Sequence, residues 1–369
     1  MKSESKSSAG VLLLNLGGPD SLDAVKPFLF NLFSDREIIR LGPSFLQKPI
    51  AYLISSLRGK KTEEAYSLIG GKSPICDITF AQAKALEEVL NKSGENESSI
   101  FTSHPSLFLK VSVAMRYWHP LIEKVVPELY DSGIRRLIVL SLYPQYSVAT
   151  TGSSLNKLRE ETAKYGMEIF VILSWFDHPL YIDALVDEIK KGLKAFNKEF
   201  ISKAPSPSPS PSGGEGLNTP PPLRGGDKGE GEVHVHFSAH SLPVKFIEEG
   251  DPYVDQIKGT INEIIKKIDI NWSLSYQSKS GPVQWLGPST DRMIEDLAEK
   301  GIKNLLVVPV SFVSDHIETL YEIDILYKKM AEALGMRLER VASLNTSPLF
   351  ISAMQDIVLK GMEEAGWAE

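Results

Sequence analysis

The sequence has very little cysteine, no long hydrophobic run and no excess of positive charge. Its 369 residues include one cysteine, Cys76, which excludes a disulfide within the chain and a cluster held by several thiolates. The formal net charge of -7 gives no basic footprint for a nucleic acid. No apolar run approaches the length of a membrane-spanning helix, and the polar residues 1–9 lack the apolar core of a secretory signal. We therefore expect a cytoplasmic protein.

Strand-like and helix-like segments alternate along most of the chain. Short apolar runs such as residues 10–16 (GVLLLNL) are typical of buried parallel strands. Residues 133–140 (GIRRLIVL) match residues 301–308 (GIKNLLVV) in type at nearly every position, which indicates two related halves. Repeated strand–helix units predict parallel sheets with right-handed crossovers. We expect an α/β protein of two similar domains with a ligand cleft between them.

This pattern divides the chain into two domains and a closing helix. Residues 9–166 are assigned to an N-terminal domain, residues 167–345 to a C-terminal domain, and residues 346–366 to a closing helix. The second domain is interrupted by residues 204–231, where Ser-Pro alternation gives way to Gly, Pro and charged residues. Such a composition cannot bury a core, so we expect a disordered insertion without a chemical role.

The segment 38–61 is unusually apolar for a connector, and it ends on Arg58, Lys60 and Lys61. A helix packed on the first domain and an apolar wall over a binding cleft both fit this pattern. The following segment 70–74 (GGKSP) favours a wall for a flat, apolar ligand. The basic end is compatible with contact to a membrane surface.

Two predicted strands lead to the residues that carry the candidate chemistry. Residues 233–240 (VHVHFSAH) predict a strand that ends on His240, and residues 305–310 (LLVVPV) predict a buried strand that precedes Glu318. Ligands of open α/β sheets bind at the carboxyl ends of the strands. We therefore expect His240 and Glu318 to face each other across one cleft.

An imidazole and a carboxylate in such a position have two chemical uses. They bind a borderline divalent metal such as Fe²⁺ and leave coordination positions open. They also transfer protons near neutral pH, where histidine titrates. His316 and Glu322 lie nearby in the sequence, and Glu318 and Glu322 share a helix face at i, i+4 spacing, so this row is a candidate path for metal or protons.

Structural roles compete with these interpretations. A histidine at a strand end often serves only as a hydrogen-bonding group, and Glu322 fits a solvated helix face equally well. His234 and His236 lie within the strand and are assigned to packing. From the residues alone, the site is either a metal-handling or an acid–base site.

The motifs at these positions resemble those of the ferrochelatase family, whose members insert ferrous iron into a porphyrin to make haem. The resemblance covers nearly the whole chain outside residues 204–231. It is carried by residues 14–19 (LNLGGP), 69–75 (IGGKSPI), 115–117 (MRY), 143–147 (YPQYS), 150–154 (TTGSS), 237–243 (FSAHSLP), 250–253 (GDPY) and 314–320 (SDHIETL).

The resemblance implies two Rossmann-like domains of the chelatase type with a porphyrin cleft between them. It implies that His240 and Glu318 are the catalytic and metal-binding pair, with iron binding and removal of the pyrrole protons left open between the two. An apolar lip, residues 28–60, would cover the porphyrin. The predicted substrate-binding residues are Asn15, Arg116 (near the propionates), Tyr117, Tyr146, Phe312 (near the ring), His316 and Glu322.

The chemistry of the reaction fits these parts. A flat apolar disc with two anionic tails requires an apolar wall and a few cations. Metallation releases two N–H protons, so a base must lie over the ring. Binding that bends the macrocycle would expose the nitrogen lone pairs to iron.

The resemblance also sets the expected ligands and the alternatives. Fe²⁺ is expected as a substrate, with no permanent cofactor and without the iron–sulfur cluster of animal members. The segment 14–19 favours protoporphyrin over coproporphyrin. A coproporphyrin ferrochelatase, a sirohydrochlorin-type chelatase with a more basic cleft, and a non-enzymatic haem or metal carrier are the alternatives. Nucleotide binding at Gly17 and Gly18 is disfavoured because the full G-x-G-x-x-G spacing is missing. Peripheral membrane contact through the lip and both a monomer and a dimer are compatible with the sequence.

Overall fold

The structure is a computed structural model that describes residues 8–92, 109–196, 232–279 and 283–367. The insertion predicted at 204–231 lies outside the described residues.

Two four-stranded parallel sheets organise the chain. The first contains β1 (Ser8–Asn15), β2 (Lys110–Met115), β3 (Ile134–Ser141) and β4 (Glu168–Ile172) in the order β2-β1-β3-β4. The second contains β5 (Val233–His240), β6 (Trp272–Gln277), β7 (Asn304–Pro309) and β8 (Arg337–Arg340) in the order β6-β5-β7-β8. The two orders are the same, and β3 and β7, which carry the repeated sequence, occupy the same place in each. The predicted α/β fold of two similar Rossmann-like halves is confirmed.

Helices flank both sheets. Those of the first half are α1 (Val25–Ser34), α2 (Gln47–Ser67), α3 (Ile75–Asn91), α4 (Ile122–Asp131) and α5 (Ser153–Ala163). Those that follow are α6 (Pro179–Phe196), α7 (Val244–Glu248), α8 (Tyr253–Lys267), α9 (Thr290–Glu299), α10 (Lys328–Ala333) and α11 (Pro348–Glu364). A π-helix over Glu318–Tyr327 precedes α10, where the sequence indicated ordinary helix.

The first sheet extends beyond the boundary predicted at 166/167. β4 pairs with β3 in parallel, from Arg136 opposite Glu168 to Leu140 opposite Ile172. The chain therefore leaves the first sheet only after residue 172. Helix α6 then packs on α8 and β7 of the second half.

The halves share one hydrophobic core. The largest cluster of buried side chains includes Val11 and Leu13 from β1 together with Val235 and Phe237 from β5. The closing helix α11 packs on α3, α6, β3 and β4 and so joins the end of the chain to the first sheet. Burial of a common apolar surface fixes the two sheets against each other, and the ends of their strands form one cleft.

The lip (residues 28–60) contains most of α1, a short 3₁₀ turn at Ser44–Leu46 and the first two thirds of α2. Helices α1 and α2 pack on each other through buried residues such as Phe33 and Ala51. The lip also exposes large apolar side chains, among them Phe45 (75%), Leu53 (57%) and Leu57 (74%). None of the helices that the structure describes combines the length and apolar character that a bilayer crossing demands.

The turn after β1 has a structural explanation. Gly17 has a φ of 83°, in the left-handed region that glycine adopts without strain. A Cβ on Gly18 would lie 2.5 Å from Oγ of Ser73, so only glycine allows segment 70–74 to approach this closely. The glycines thus join two parts of the protein, and the space beside them is filled by Ser73.

Candidate functional site

A cavity that is open to solvent lies at the carboxyl ends of strands from both sheets. Asn15 ends β1, Tyr143 follows β3, His240 ends β5 and Ser311 follows β7, and all four line the cavity. Most of the wall is apolar and is formed by Leu16, Leu32, Ile38, Ile75, Leu142, Ala149, Leu242, Pro243, Trp285, Phe312 and Val313. The cavity lies where the parallel strand order predicts a ligand site.

His240 and Glu318 meet at this cavity. Nδ1 of His240 lies 2.8 Å from Oε2 of Glu318, although the residues are 78 positions apart in the sequence. The backbone N–H of His240 donates to Oγ of Ser311 at 3.0 Å, and the hydroxyl of Tyr253 donates to its carbonyl oxygen at 3.0 Å. These bonds fix the end of β5, so the imidazole is held against the carboxylate.

The two groups change each other's proton affinity. Burial alone would raise the pKa of Glu318, but the adjacent His240 and its hydrogen bond hold that pKa at about 2. Burial alone would lower the pKa of His240, but the Glu318 carboxylate raises it. The pair therefore favours its charged forms, an imidazolium that donates Nδ1–H to a carboxylate.

Glu322 lies behind this pair and does not line the cavity. The Gln277 amide donates to its Oε2 at 3.1 Å, and the hydroxyl of Ser278 donates to the same atom. Burial, followed by the negative charge of Glu318, raises the pKa of Glu322 to about 7. Near neutral pH, Glu322 therefore exists in both protonated and charged forms.

His316 and Phe312 form the adjacent part of the wall. Their ring centroids are 4.3 Å apart, with an interplanar angle of 63°. Nδ1–H of His316 donates to the carbonyl oxygen of Ser314 at 3.0 Å, and Nε2 lies 3.9 Å from Oε2 of Glu318. Burial lowers the pKa of His316. His316 thus presents a neutral ring beside the charged pair.

Asn15 also lines the cavity, on the side of the first sheet. Its Nδ2 donates to Oγ1 of Thr79 at 3.0 Å, and its Oδ1 accepts from the backbone N–H of Leu16 at 2.8 Å. Both ends of the side-chain amide are therefore held in place.

Arg116, Tyr117 and Tyr146, which the sequence placed at the substrate, do not line the cavity. The Arg116 guanidinium and the Tyr117 hydroxyl each donate to Oδ2 of Asp35 at 2.7 Å. Ser153 donates to the same oxygen at 2.6 Å. This network ties the end of α1 to β2 and α5, and it neutralises the cation that was expected at the propionates.

Three aromatic side chains at the cavity were not predicted as site residues: Tyr143, Tyr253 and Trp285. Tyr143 accepts a hydrogen bond from the backbone N–H of Leu16 at 3.1 Å and so links the ends of β1 and β3. Tyr143 and Tyr253 lie in the motif segments 143–147 and 250–253, so the sequence contained a signal that could have identified them as site residues. Trp285 lies in a turn and gave no such signal.

An ion pair joins the lip to the second half of the chain. The Arg40 guanidinium in the lip donates to both carboxylate oxygens of Glu249, at 3.1 and 3.3 Å. Both side chains are more than 40% exposed (45% and 43%). Within the described residues, no group of three or more His, Cys, Asp or Glu side chains is arranged to hold a metal ion. His240 and Glu318 therefore offer two ligands to a metal ion and leave its other coordination positions open for a bound substrate.

Comparisons with known proteins agree over almost the entire chain. The family model described as Ferrochelatase matches residues 8–362. The Ferrochelatase of Geobacter metallireducens is 48% identical over 354 residues, which cover 95% of this chain and 97% of that protein. The Ferrochelatase of Gloeothece citriformis is 41% identical over 363 residues, covering 96% and 83%. The solved structure of SirB from Bacillus subtilis with Fe³⁺ has a TM-score of 0.50 and 12% identity and covers 98% of each chain, which shows a shared fold.

Proposed function

Because the chain belongs to the ferrochelatase family, we propose that it inserts Fe²⁺ into protoporphyrin at the cavity between its two sheets. The enzyme is a metal chelatase of the lyase type, and its place is in haem synthesis. The single observation that carries the assignment of the site is the contact of 2.8 Å between His240 and Glu318 at an apolar cavity. Iron is consumed as a substrate in this reaction.

The chemistry of the cavity suits a porphyrin. The apolar wall matches the faces of a macrocycle, and Phe312, His316 and Asn15 are the predicted substrate-binding residues that reach it. Arg116, Tyr117 and Tyr146 act on the substrate indirectly in this proposal, because Asp35 holds the first two and Gln256 accepts from the backbone N–H of Tyr146 at 2.7 Å.

The pair supplies two ligands for iron. Insertion forms bonds from iron to the pyrrole nitrogens and releases two N–H protons. Nδ1–H of His240 donates to Glu318, so the other ring nitrogen, Nε2, is the atom that binds iron or accepts a pyrrole proton once it is itself unprotonated. Glu322, with a pKa of about 7, is the neighbouring group that accepts a proton near neutral pH. Glu318, His316 and Glu322 thus form the row through which protons leave.

The proposal includes no iron–sulfur cluster. A cluster requires several cysteine ligands, and the sequence contains Cys76 alone. We place the enzyme in the cytoplasm, with its apolar lip in contact with a membrane surface. The exposed Phe45, Leu53 and Leu57 support this contact, because they present apolar area to the outside next to Lys60 and Lys61.

The test is anaerobic insertion of Fe²⁺ into protoporphyrin, coproporphyrin and sirohydrochlorin in parallel, followed by absorbance. Turnover with protoporphyrin supports the proposal. Faster turnover with coproporphyrin or sirohydrochlorin would show that this compound, and not protoporphyrin, is the substrate. Tight haem binding without turnover of any of the three would favour a carrier.

A further inference from the structure

A row of buried polar side chains runs beneath the active-site end of the second sheet. It joins two histidines of β5 to the residues that contact Glu322. Its members lie outside the cavity wall and are His234, Ser273, His236, Ser275, Thr290, Ser238 and Gln277. Each is at most 5% exposed. The mechanism proposed above uses none of them.

The direction of the hydrogen bonds along the row can be deduced from the contacts of Gln277. Its amide contacts the backbone carbonyl oxygen of Glu318 at 3.2 Å, and a carbonyl oxygen only accepts hydrogen bonds. The NH₂ group must therefore face Glu318 and Glu322. Oε1 then faces Ser238, 2.6 Å away, and Ser238 must donate to it.

The same reasoning extends through the hydroxyls. Since Ser238 uses its only proton on Gln277, it accepts from Thr290 at 3.0 Å. Thr290 in turn accepts from Ser275 at 2.8 Å. Ser275 therefore accepts from Nε2–H of His236 at 2.7 Å.

The two histidines complete the chain. A neutral His236 that donates from Nε2 must accept at Nδ1, so Ser273 donates to it at 2.8 Å. Ser273 then accepts from Nε2–H of His234 at 2.9 Å. Burial lowers the pKa of His236 to about 3 and that of His234 to about 4, so both rings are neutral at neutral pH. Nδ1 of His234 is buried without a hydrogen-bond partner among the described residues, and no acceptor is there to bind a proton on this nitrogen.

At the Gln277 end of the row, the backbone conformation of Ser278 directs its hydroxyl to Glu322. Ser278 has a φ of 67°, a left-handed conformation that is uncommon for residues other than glycine. In this conformation its hydroxyl donates to Oε2 of Glu322, beside the Gln277 amide. Backbone strain of this kind persists where the surroundings demand it and is concentrated at functional sites.

We infer that Gln277 is a positioning residue for the acidic groups of the site, and that a one-way hydrogen-bond chain starting at His234 fixes the orientation of its amide. Every donor in the chain points toward Glu322. The amide holds Glu322 and the backbone of Glu318 together at the start of the π-helix. The functional part of this inference rests on the proposed metallation activity.

The direction of the chain is tested without any activity. In full-length protein labelled with ¹⁵N-histidine, long-range ¹⁵N–¹H spectra at pH 7 distinguish the two tautomers of a neutral imidazole. The expected result is a protonated Nε2 and an unprotonated Nδ1 for both His234 and His236, assigned with His234→Gln. A proton on Nδ1 of His236 would reverse the chain and overturn the inference.

The effect on the site is tested with Ser238→Ala, which removes the donor to Gln277, and with Gln277→Met, which removes the amide. Thr162→Val is the matched control, because it deletes a buried hydroxyl that donates to the Leu158 carbonyl oxygen at 2.9 Å in α5, far along the chain from this row. Loss of one hydrogen bond is expected to lower kcat for Fe²⁺ insertion by about 3- to 10-fold in Ser238→Ala. Gln277→Met is expected to show the larger loss, and both variants to keep the KM for protoporphyrin.

Purely structural roles would give a different pattern. In that case Ser238→Ala and Thr162→Val would lower the melting temperature alike and leave kcat unchanged, which would overturn the inference. If the unaltered enzyme metallates no porphyrin, the proposed function fails, and the histidine tautomers still decide the direction of the chain by themselves.

Discussion

Nδ1 of His240 and Oε2 of Glu318 lie 2.8 Å apart, and the same distance separates Nε2 of His178 from Oδ2 of Asp356. The surroundings distinguish the two pairs. Glu318 is 19% exposed and lines the cavity, whereas Asp356 is 39% exposed and also pairs with Lys360 at 2.7 Å. The His240–Glu318 pair is therefore the one placed to meet a ligand, and His178–Asp356 provides an internal control of equal geometry.

Replacing His240 by alanine is expected to abolish most metallation while preserving porphyrin binding. The variant removes both an iron ligand and a proton carrier, and loss of general acid–base catalysis alone typically costs about 10²–10⁴ in rate. The measurement is the initial rate of anaerobic Fe²⁺ insertion, with porphyrin affinity followed by fluorescence quenching. His178→Ala should retain nearly full activity. Equal losses in both variants would contradict the assignment of the site.

The raised pKa of Glu322 predicts a pH-dependent gain in stability when this residue is replaced by glutamine. The folded state binds the proton more tightly than the unfolded chain, so the free energy of unfolding falls as pH rises from 4.5 to about 7. Glu322→Gln removes this loss and should increase the free energy of unfolding by about 1–3 kcal/mol at pH 8, with little change at pH 5. Denaturant unfolding at both pH values measures it. Glu339→Gln is the control of opposite sign, because Lys328 and Arg337 outweigh burial and lower the pKa of Glu339. A gain of equal size at both pH values would count against the raised pKa.

Much of the fold could be predicted because its signals are local. Apolar runs marked the strands, and small residues and proline marked their ends, so His240 and Glu318 were placed at strand ends from residue patterns alone. The repeat of β3 in β7 also predicted two related halves. The sheet to which β4 belongs depends on its pairing with β3, which no local pattern encodes. The predicted boundary therefore fell before this strand.

Arg116 shows why the substrate-binding residues were harder to predict. The resemblance to the family placed its charge near the propionates, but Asp35, 81 positions away, pairs with it in the folded chain. His234 and His236 were assigned to packing because they lie inside a strand. Their ring nitrogens gained partners only through Ser273 and Ser275 on β6, which is adjacent in the sheet and distant in sequence. Contacts of this kind arise from tertiary structure.

The exposed face of the lip is expected to bind membranes, and loss of its apolar side chains should weaken that binding. Transfer of a leucine side chain out of water contributes roughly 1.5–3 kcal/mol, so Leu53→Ser combined with Leu57→Ser should reduce binding by at least about tenfold. Co-sedimentation with vesicles of phosphatidylcholine and phosphatidylglycerol measures the bound fraction. Leu326→Ser is the matched control, since Leu326 is 48% exposed and lies on the π-helix. Unchanged sedimentation of the double variant would remove the membrane contact from the proposal.

The ion pair between Arg40 and Glu249 is expected to slow the release of haem, because it joins the lip, whose Ile38 lines the cavity, to the second half of the protein. Exposed pairs contribute about 0.2–1 kcal/mol, so Glu249→Gln should accelerate release by about 1.4- to fivefold at low salt. The difference should shrink at high ionic strength, where the charges are screened. Stopped-flow transfer of haem to a scavenger protein measures the rate. The exchanged pair, Arg40→Glu with Glu249→Arg, should restore slow release, and Lys245→Gln, which removes a weaker contact of 3.8 Å to the same carboxylate, should have the smaller effect. If the exchanged pair releases haem as fast as the single variants, the contact does not restrain the lip.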